Sequence, residues 1–257
     1  MSAAREIAGK HALVTGGGSG VGKAIALALA EAGVAVTICG RREAALAEVA
    51  KQNDRIFGFA ADVTNEAEMA VLYQKAEAAR GPFDIVVANA GMAGSAPAHK
   101  TALADWQRTL EVNLTGAFLT VKPALAGMLA RKTGRIVFVA STAGLKGYAY
   151  VAPYVAAKHG VVGLMRALAA ETAKSGVTVN AVCPGFVETD MLEESVQHIV
   201  EKTGRSTDEA RASLATTNPQ GRFIQPEEVA TAVLWLCSDA ARSITGQAIS
   251  VSGGETW

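Results

Sequence analysis

The chain has 257 residues, half of them apolar, with 24 basic and 24 acidic side chains. That size and apolar content suit one large α/β domain with a sizeable core, and a formal charge of zero supplies no long-range field to draw nucleic acid or an anionic membrane. The three cysteines, Cys39, Cys183 and Cys237, are unevenly spaced, which argues against a disulfide framework or a CxxC metal site and for a reducing, cytoplasmic setting.

Residues 1–6 read as a short polar arm without the apolar core of a signal peptide. No run approaches the ~18 apolar residues of a membrane span. Apolar bursts then alternate with helical patterns. Strands are predicted over 11–15, 35–39, 56–60, 85–88, 135–140, 178–182 and 248–251. Helices are predicted between them over 21–32, 42–51, 66–80, 103–129 (disturbed near Pro123), 151–174 and 227–237. Pro226 before Glu227 and Glu228 makes a good helix start, because proline suits the first turn and the acids suit the dipole. The segment 161–170 is apolar but interrupted by Arg166, so it reads as a buried helix. Strands rich in Val, Ile and Ala with little alternation imply a parallel sheet covered on both faces, and the alternation implies a doubly wound fold. The more polar stretch 188–220 breaks the rhythm. It is expected either as a substrate lid at the carboxyl edge of the sheet or as a pair of surface helices with no gating role.

The first strand runs into Thr15-Gly16-Gly17-Gly18-Ser19-Gly20-Val21-Gly22, which then opens a helix. Glycines at Gly16, Gly18, Gly20 and Gly22 let a backbone approach a pyrophosphate, and the helix amides following Ser19 and Val21 face it. The spacing differs from G-x-G-x-x-G, and such a turn alone is also compatible with an ordinary tight turn. Asn89-Ala90-Gly91 at the end of the fourth strand and Asp62-Val63 at the end of the third, placed to meet an adenine ring, strengthen the cofactor reading. The second strand ends in Cys39-Gly40-Arg41-Arg42 rather than in an acid that would bind a ribose diol. Arg41 or Arg42 would pair with a 2′-phosphate, which favours NADP(H) over NAD(H); the alternative is that both only solvate the next helix.

Farther along, Tyr154 and Lys158 stand four apart on one helical face, and Ser141 ends the fifth strand. The lysine charge, with that of an oxidised nicotinamide, is expected to lower the phenol pKa, so that Tyr154 exchanges a proton with a carbonyl or alcohol oxygen while Ser141 polarises it. His159 should point away from Lys158. His11, His99 and His198 show no ligand spacing, and Cys183 has no paired base, so no metal site or cysteine nucleophile is expected. Tyr148 and Tyr150 are candidates for one substrate wall, with Gly94 and Ser95 facing them.

The ordered set T-G-x3-G-x-G, D-V, N-A-G, a later Asn, Ser, Y-x3-K and P-G resembles the short-chain dehydrogenase/reductase family over essentially the whole chain. The resemblance implies a single-domain, seven-stranded Rossmann fold in a homo-oligomer, commonly a tetramer or dimer. It implies that Asn113 is a kink residue supporting a water relay to Lys158. Pro184-Gly185 becomes a nicotinamide-facing turn, with Val187 and Thr189 holding the carboxamide and pyrophosphate, although Thr189 equally suits a helix cap. The segments 140–144, 158–163 and 179–189 are similar to those of β-ketoacyl reductases, aromatic polyketide ketoreductases and 3-hydroxyacyl-CoA dehydrogenases. A 3-oxoacyl thioester, carried on CoA or a carrier protein, is the substrate that follows. Alternatives are an NAD-dependent alcohol, sugar or steroid dehydrogenase, a non-catalytic dinucleotide sensor, and a Rossmann methyltransferase, the last disfavoured by the Tyr-Lys pair.

Overall fold

The computed structural model describes residues 7–256; the polar arm expected over residues 1–6, and Trp257, lie outside them. Seven strands, β1 (His11–Thr15), β2 (Ala35–Gly40), β3 (Ile56–Ala60), β4 (Ile85–Ala88), β5 (Gly134–Val139), β6 (Val177–Pro184) and β7 (Ala248–Val251), form one sheet in the order β3-β2-β1-β4-β5-β6-β7. Every pairing is parallel. The non-alternating strand sequences have their cause here, since both faces are covered: all of β1 and all of β6 are buried. Alternate side chains feed opposite cores, Leu13 to one and Ala12 and Val14 to the other.

The helices are α1 (Gly20–Glu31), α2 (Glu43–Ala50), α3 (Glu66–Arg80), α4 (Leu103–Leu110), α5 (Gly116–Arg131), α6 (Ala152–Thr172), α7 (Asp190–Thr203), α8 (Thr207–Ala215) and α9 (Pro226–Cys237). Ile25 and Leu29 of α1 share a core with Val229 and Val233 of α9. Leu72 of α3, Val121 of α5 and Met165 of α6 fill the opposite face. Sequence-local chemistry starts several of these helices. Asn65 Oδ1 accepts from Ala67 N (3.1 Å) and Glu68 N (3.2 Å) to cap α3, and Gln225 and Glu228 form a reciprocal cap around Pro226 on α9. The polar stretch 188–220 forms two regular helices, α7 and α8, around their own small core of Leu192, Val196, Ala210 and Phe223.

One expectation is corrected in the helical run from 103. The break lies at Glu111–Thr115, a single wide π-turn, and α5 continues through Pro123. Asn113 explains the placement. Its Nδ2 donates to Thr109 O (2.9 Å) and Met92 O (2.8 Å), and its Oδ1 accepts from Met92 N (3.2 Å), so a buried side chain fastens the widened turn to the β4–α4 loop. The same run, Leu103–Arg131, does reach the length and apolar composition of a membrane span, contrary to the sequence expectation. Its apolar face, with Val121, Ala124 and Met128, packs on the sheet.

Chain order places the reversal of strand order between β1 and β4, so a crevice opens at their carboxyl ends, where open α/β sheets bind ligands. The ends of β5 and β6 lie beside it.

Candidate active site

The crevice is closed at one end by the glycine turn. Thr15 Oγ1 accepts from Asn89 N and Ala90 N, both at 3.1 Å, and Asn89 Nδ2 donates to Thr15 O at 2.8 Å, which locks the end of β4 to the end of β1. Gly16 (φ 68°) and Gly20 (φ 51°) take the left-handed backbone that glycine adopts without strain. A Cβ on Gly22 would lie 2.3 Å from Gly16 O and 2.5 Å from Asn89 Nδ2, so no side chain fits there. The Ser19 hydroxyl makes no capping bond to α1, and the first turn of that helix carries no acid. The α1 amides are therefore left for an anion, and a pyrophosphate fits that cradle.

The residues expected at an adenosine end lie beyond β2 and β3. Asp62 accepts from Thr64 N (3.0 Å) and Thr64 Oγ1 (2.8 Å). The Thr64 amide, with help from Arg41 and Arg108, holds the Asp62 carboxyl below the usual range. Val63 is buried beneath it. Arg42 Nη2 donates to Ser19 Oγ at 3.0 Å, so its guanidinium leans over the glycine turn. Gln107, Arg108 and Val112 join Asp62 and Thr64 around a cavity of about 210 Å³. These three were not expected from the sequence, because nothing in α4 or in the π-turn after it marks them. A larger open hollow of about 500 Å³ lies on the acidic face of α7, between Asp190 and Glu201, and contains no expected site residue. The smaller cavity is the one that adjoins the cofactor elements.

At the centre, Ser141 follows β5 and starts a short 3-10 turn, its Oγ accepting from Ala143 N at 3.1 Å. Glycine at 144 lets α6 approach, since a Cβ there would meet Lys158 O at 2.8 Å. Lys158 is only 4% exposed, has no carboxylate partner among the described residues, and donates from Nζ to Val139 O at 2.9 Å. Burial lowers its pKa to about 8. Its Nζ stands 5.6 Å from the centre of the Tyr154 ring. Gly91 marks where the pieces meet: a Cβ there would lie 2.8 Å from Asn113 Oδ1 and 3.7 Å from Lys158 Nζ. Burial raises the pKa of Tyr154, while a hydrogen bond with Ser141 pulls it back. The expected depression of this phenol is thus not produced by the protein alone, because desolvation is the largest influence and Lys158 is itself partly discharged near pH 8. Cys183 is buried behind the site and its thiol is pushed up to about 11, which keeps it protonated. His159 is exposed and turned back toward Val155 O, 2.9 Å away.

The two expected walls touch, since Ala96 N donates to Tyr150 O at 2.8 Å, next to Gly94 and Ser95. Tyr148 and Tyr150 separate in role. The Tyr150 side chain is 63% exposed on a left-handed backbone (φ 69°), whereas the half-buried Tyr148 points inward. The Tyr148 hydroxyl donates to Glu255 Oε1, and Thr142 Oγ1 lies 2.6 Å from it. On the far side, Pro184 ends β6 and Gly185 N donates to Val251 O at 3.1 Å. Val187 bridges to Ile224. Thr189 occupies the first cap position of α7, yet its Oγ1 donates to Val187 O at 3.2 Å instead of capping. Its methyl lies 3.1 Å from where a Cβ on Gly20 would stand, over the glycine turn.

Known proteins agree with this architecture. The sequence profile described as short chain dehydrogenase matches residues 10–199. A Streptomyces coelicolor protein assigned as a ketoacyl reductase is 42% identical over 95% of this chain and 95% of its own. Acetoacetyl-CoA reductase of Shinella zoogloeoides is 38% identical over 95% of this chain and 97% of its own. A variant of actinorhodin polyketide ketoreductase solved with NADPH superposes with a TM-score of 0.93 at 41% identity, covering 96% of this chain and 97% of that one. The nicotinamide-dinucleotide fold, its glycine turn and the extent of these matches lead to one conclusion: the chain belongs to the short-chain dehydrogenase family and is an oxidoreductase acting on CH–OH groups and their carbonyl counterparts.

Proposed function

We propose that the chain is an NADP(H)-dependent ketoreductase that interconverts 3-oxoacyl and 3-hydroxyacyl thioesters. The convergence of Ser141 and Lys158 on Tyr154 carries the reading. When bound, the nicotinamide supplies or accepts the hydride. Ser141 hydrogen-bonds the substrate oxygen, and Tyr154 gives that oxygen its proton in reduction or removes it in oxidation. A phenol whose protein surroundings favour the neutral form is suited to donating. Lys158, buried and with a pKa near 8, returns a proton toward Tyr154 at little cost, and Asn113 orders the path behind it. Gly94, Ser95, Tyr148 and Tyr150 line the substrate.

For the cofactor, Gly16, Gly18, Ser19, Gly20, Val21 and Gly22 hold the pyrophosphate with Thr189, and Asp62 and Val63 take the adenine. Asn89, Ala90, Gly91, Pro184, Gly185 and Val187 line the nicotinamide end. Arg41 and Arg42 take the 2′-phosphate; the position of Arg42 over Ser19 and the NADPH in the actinorhodin ketoreductase structure support this. The helices α7 and α8 act as the lid, braced by Arg211 against Glu188 (2.5 Å) and Glu193. The exposed Leu103 and Phe118 on α4 and α5 support a homo-oligomer, read as a tetramer. The buried, free cysteines support a cytoplasmic setting.

The test is a panel of 3-oxoacyl thioesters, simple ketones, sugars and steroids, each with NADPH and NADH, followed by nicotinamide absorbance. Turnover of thioesters with NADPH is expected to exceed every other combination. A preference for another carbonyl class, or for NADH, would overturn the substrate or cofactor assignment respectively.

A further inference from the structure

Behind Tyr148, at the carbonyl end of the crevice, stand Glu255 and Lys146, which take no part in the proposed reaction. Glu255 comes from the C-terminal turn after β7, where a carboxylate would ordinarily stand in water. Its side chain is 1% exposed. Oε1 accepts from Tyr148 and pairs with Lys146 Nζ at 3.1 Å. Oε2 is buried and takes no hydrogen bond from any described residue. That oxygen lies against the turn after β6, where a Cβ on Gly185 would stand 2.9 Å from it. Tyr148 packs edge-on against Phe186 of the same turn, with ring centres 6.5 Å apart. Lys146 Nζ lies 4.9 Å from the centre of the Tyr148 ring.

A half-satisfied buried carboxylate is a poor choice for stability alone, since an apolar residue of similar size would fill the space without the desolvation cost. What the carboxylate does provide is direction. It fixes the orientation of Tyr148, whose oxygen also meets Thr142, the residue next to Ser141. One side chain therefore joins three segments that border the carbonyl: the 142–150 wall, the turn at Gly185 and Phe186, and the C-terminal turn. We propose that Glu255 is a positioning residue for the substrate, setting substrate affinity by fastening the Tyr148 wall while leaving cofactor affinity untouched. The inference rests on the ketoreductase reading only for the choice of substrate.

The experiment compares Glu255→Ala, Glu255→Gln and Tyr148→Phe with the parent enzyme, using whichever carbonyl the parent turns over best. Glu255→Ala is expected to raise KM at least ~10-fold with kcat within ~3-fold, the pattern of lost uniform binding. The NADPH Kd should stay within ~2-fold. Glu255→Gln keeps an oxygen acceptor for Tyr148 and should restore most of the KM. The double variant Tyr148→Phe with Glu255→Ala should be no worse than the poorer single one, because both act through one contact. Amide exchange over residues 142–150 should quicken in Glu255→Ala with NADPH bound. An unchanged KM and exchange in Glu255→Ala, no rescue by Glu255→Gln, or a parallel loss of NADPH affinity would each overturn the assignment. If thioesters are inert but another carbonyl is reduced, the substrate reading fails while the Glu255 comparison still decides on that carbonyl. Should Glu255→Ala not fold, Glu255→Gln against Tyr148→Phe decides in its place, equal and unchanged KM values overturning the proposal.

Discussion

Two lysine–tyrosine pairs stand within one crevice and are built on opposite terms. In the first, Lys158 faces the Tyr154 ring with no carboxylate among the described residues, is nearly fully buried, and has its pKa lowered to about 8. In the second, Lys146 faces the Tyr148 ring, is partly exposed, and shares the carboxylate of Glu255 with the tyrosine hydroxyl. Burial, joined by that bond, raises the pKa of Tyr148 far above the usual phenol value. The acid joins the members of the second pair to one another. Its absence leaves the other pair with a lysine near neutrality and a phenol held by a serine, where a proton moves at modest cost. On the proposed reading the same two residue types supply chemistry in one place and geometry in the other, and the third group decides which.

The sharpest way to break this contrast is to remove the two hydroxyls in turn. Tyr154→Phe should lose at least ~100-fold in kcat, the scale of a general acid, and Lys158→Ala should fall as far. Tyr148→Phe should show its loss mainly in KM. Equal kcat losses at the two tyrosines, measured by initial rates, would erase the distinction.

Stability should divide the lysines by sign. The folded pKa of Lys158 is about 8 against 10.5 for the free side chain, so the folded chain binds fewer protons between those values. The burial cost is in full force below pH 8 and disappears above pH 10.5. That shift corresponds to about 3 kcal/mol, less about 1 kcal/mol for the bond to Val139. Lys158→Met should therefore be more stable than the parent by about 2 kcal/mol at pH 7, with the gap closing between pH 8 and 10.5 in denaturant titrations. Lys146→Met should destabilise instead, by about 1 kcal/mol, because it strips the buried Glu255 of its cation while the lysine itself was partly solvated. Shifts of the same sign would contradict the electrostatic account.

A smaller effect serves as a control remote from both pairs. Arg41→Ala combined with Arg42→Ala should weaken NADPH about 10-fold, roughly one charge-assisted contact, and leave NADH within about 2-fold. Equal losses for the two nucleotides in fluorescence titrations would remove the 2′-phosphate from the argument.

Much of this was legible in the chain because it is local. The glycine turn, the strand ends at Asp62 and Asn89, the Tyr154–Lys158 spacing and the Pro226 helix start each fit within a few residues, and the strands were predicted close to their observed ends. The misplaced break at Pro123 shows the limit. A proline advertises itself, whereas Asn113 widens the helix only because Met92, 21 residues earlier, lies across from it. Glu255 was missed for the same reason, being 107 residues from Tyr148. An acid in an otherwise small and apolar C-terminal stretch was the only available sign. Arg108 and Gln107 carried none.

Sequence by itself determined the period and polarity of the elements, and through them the wound sheet and the backbone of the nucleotide cradle, since missing side chains and strand-to-helix turns are written residue by residue. Only the tertiary structure decided the protonation of Lys158, the balance at Tyr154 and the burial of Glu255. Each depends on how much water and which charges the rest of the fold leaves nearby, and desolvation belongs to a place in the folded chain and not to a residue type.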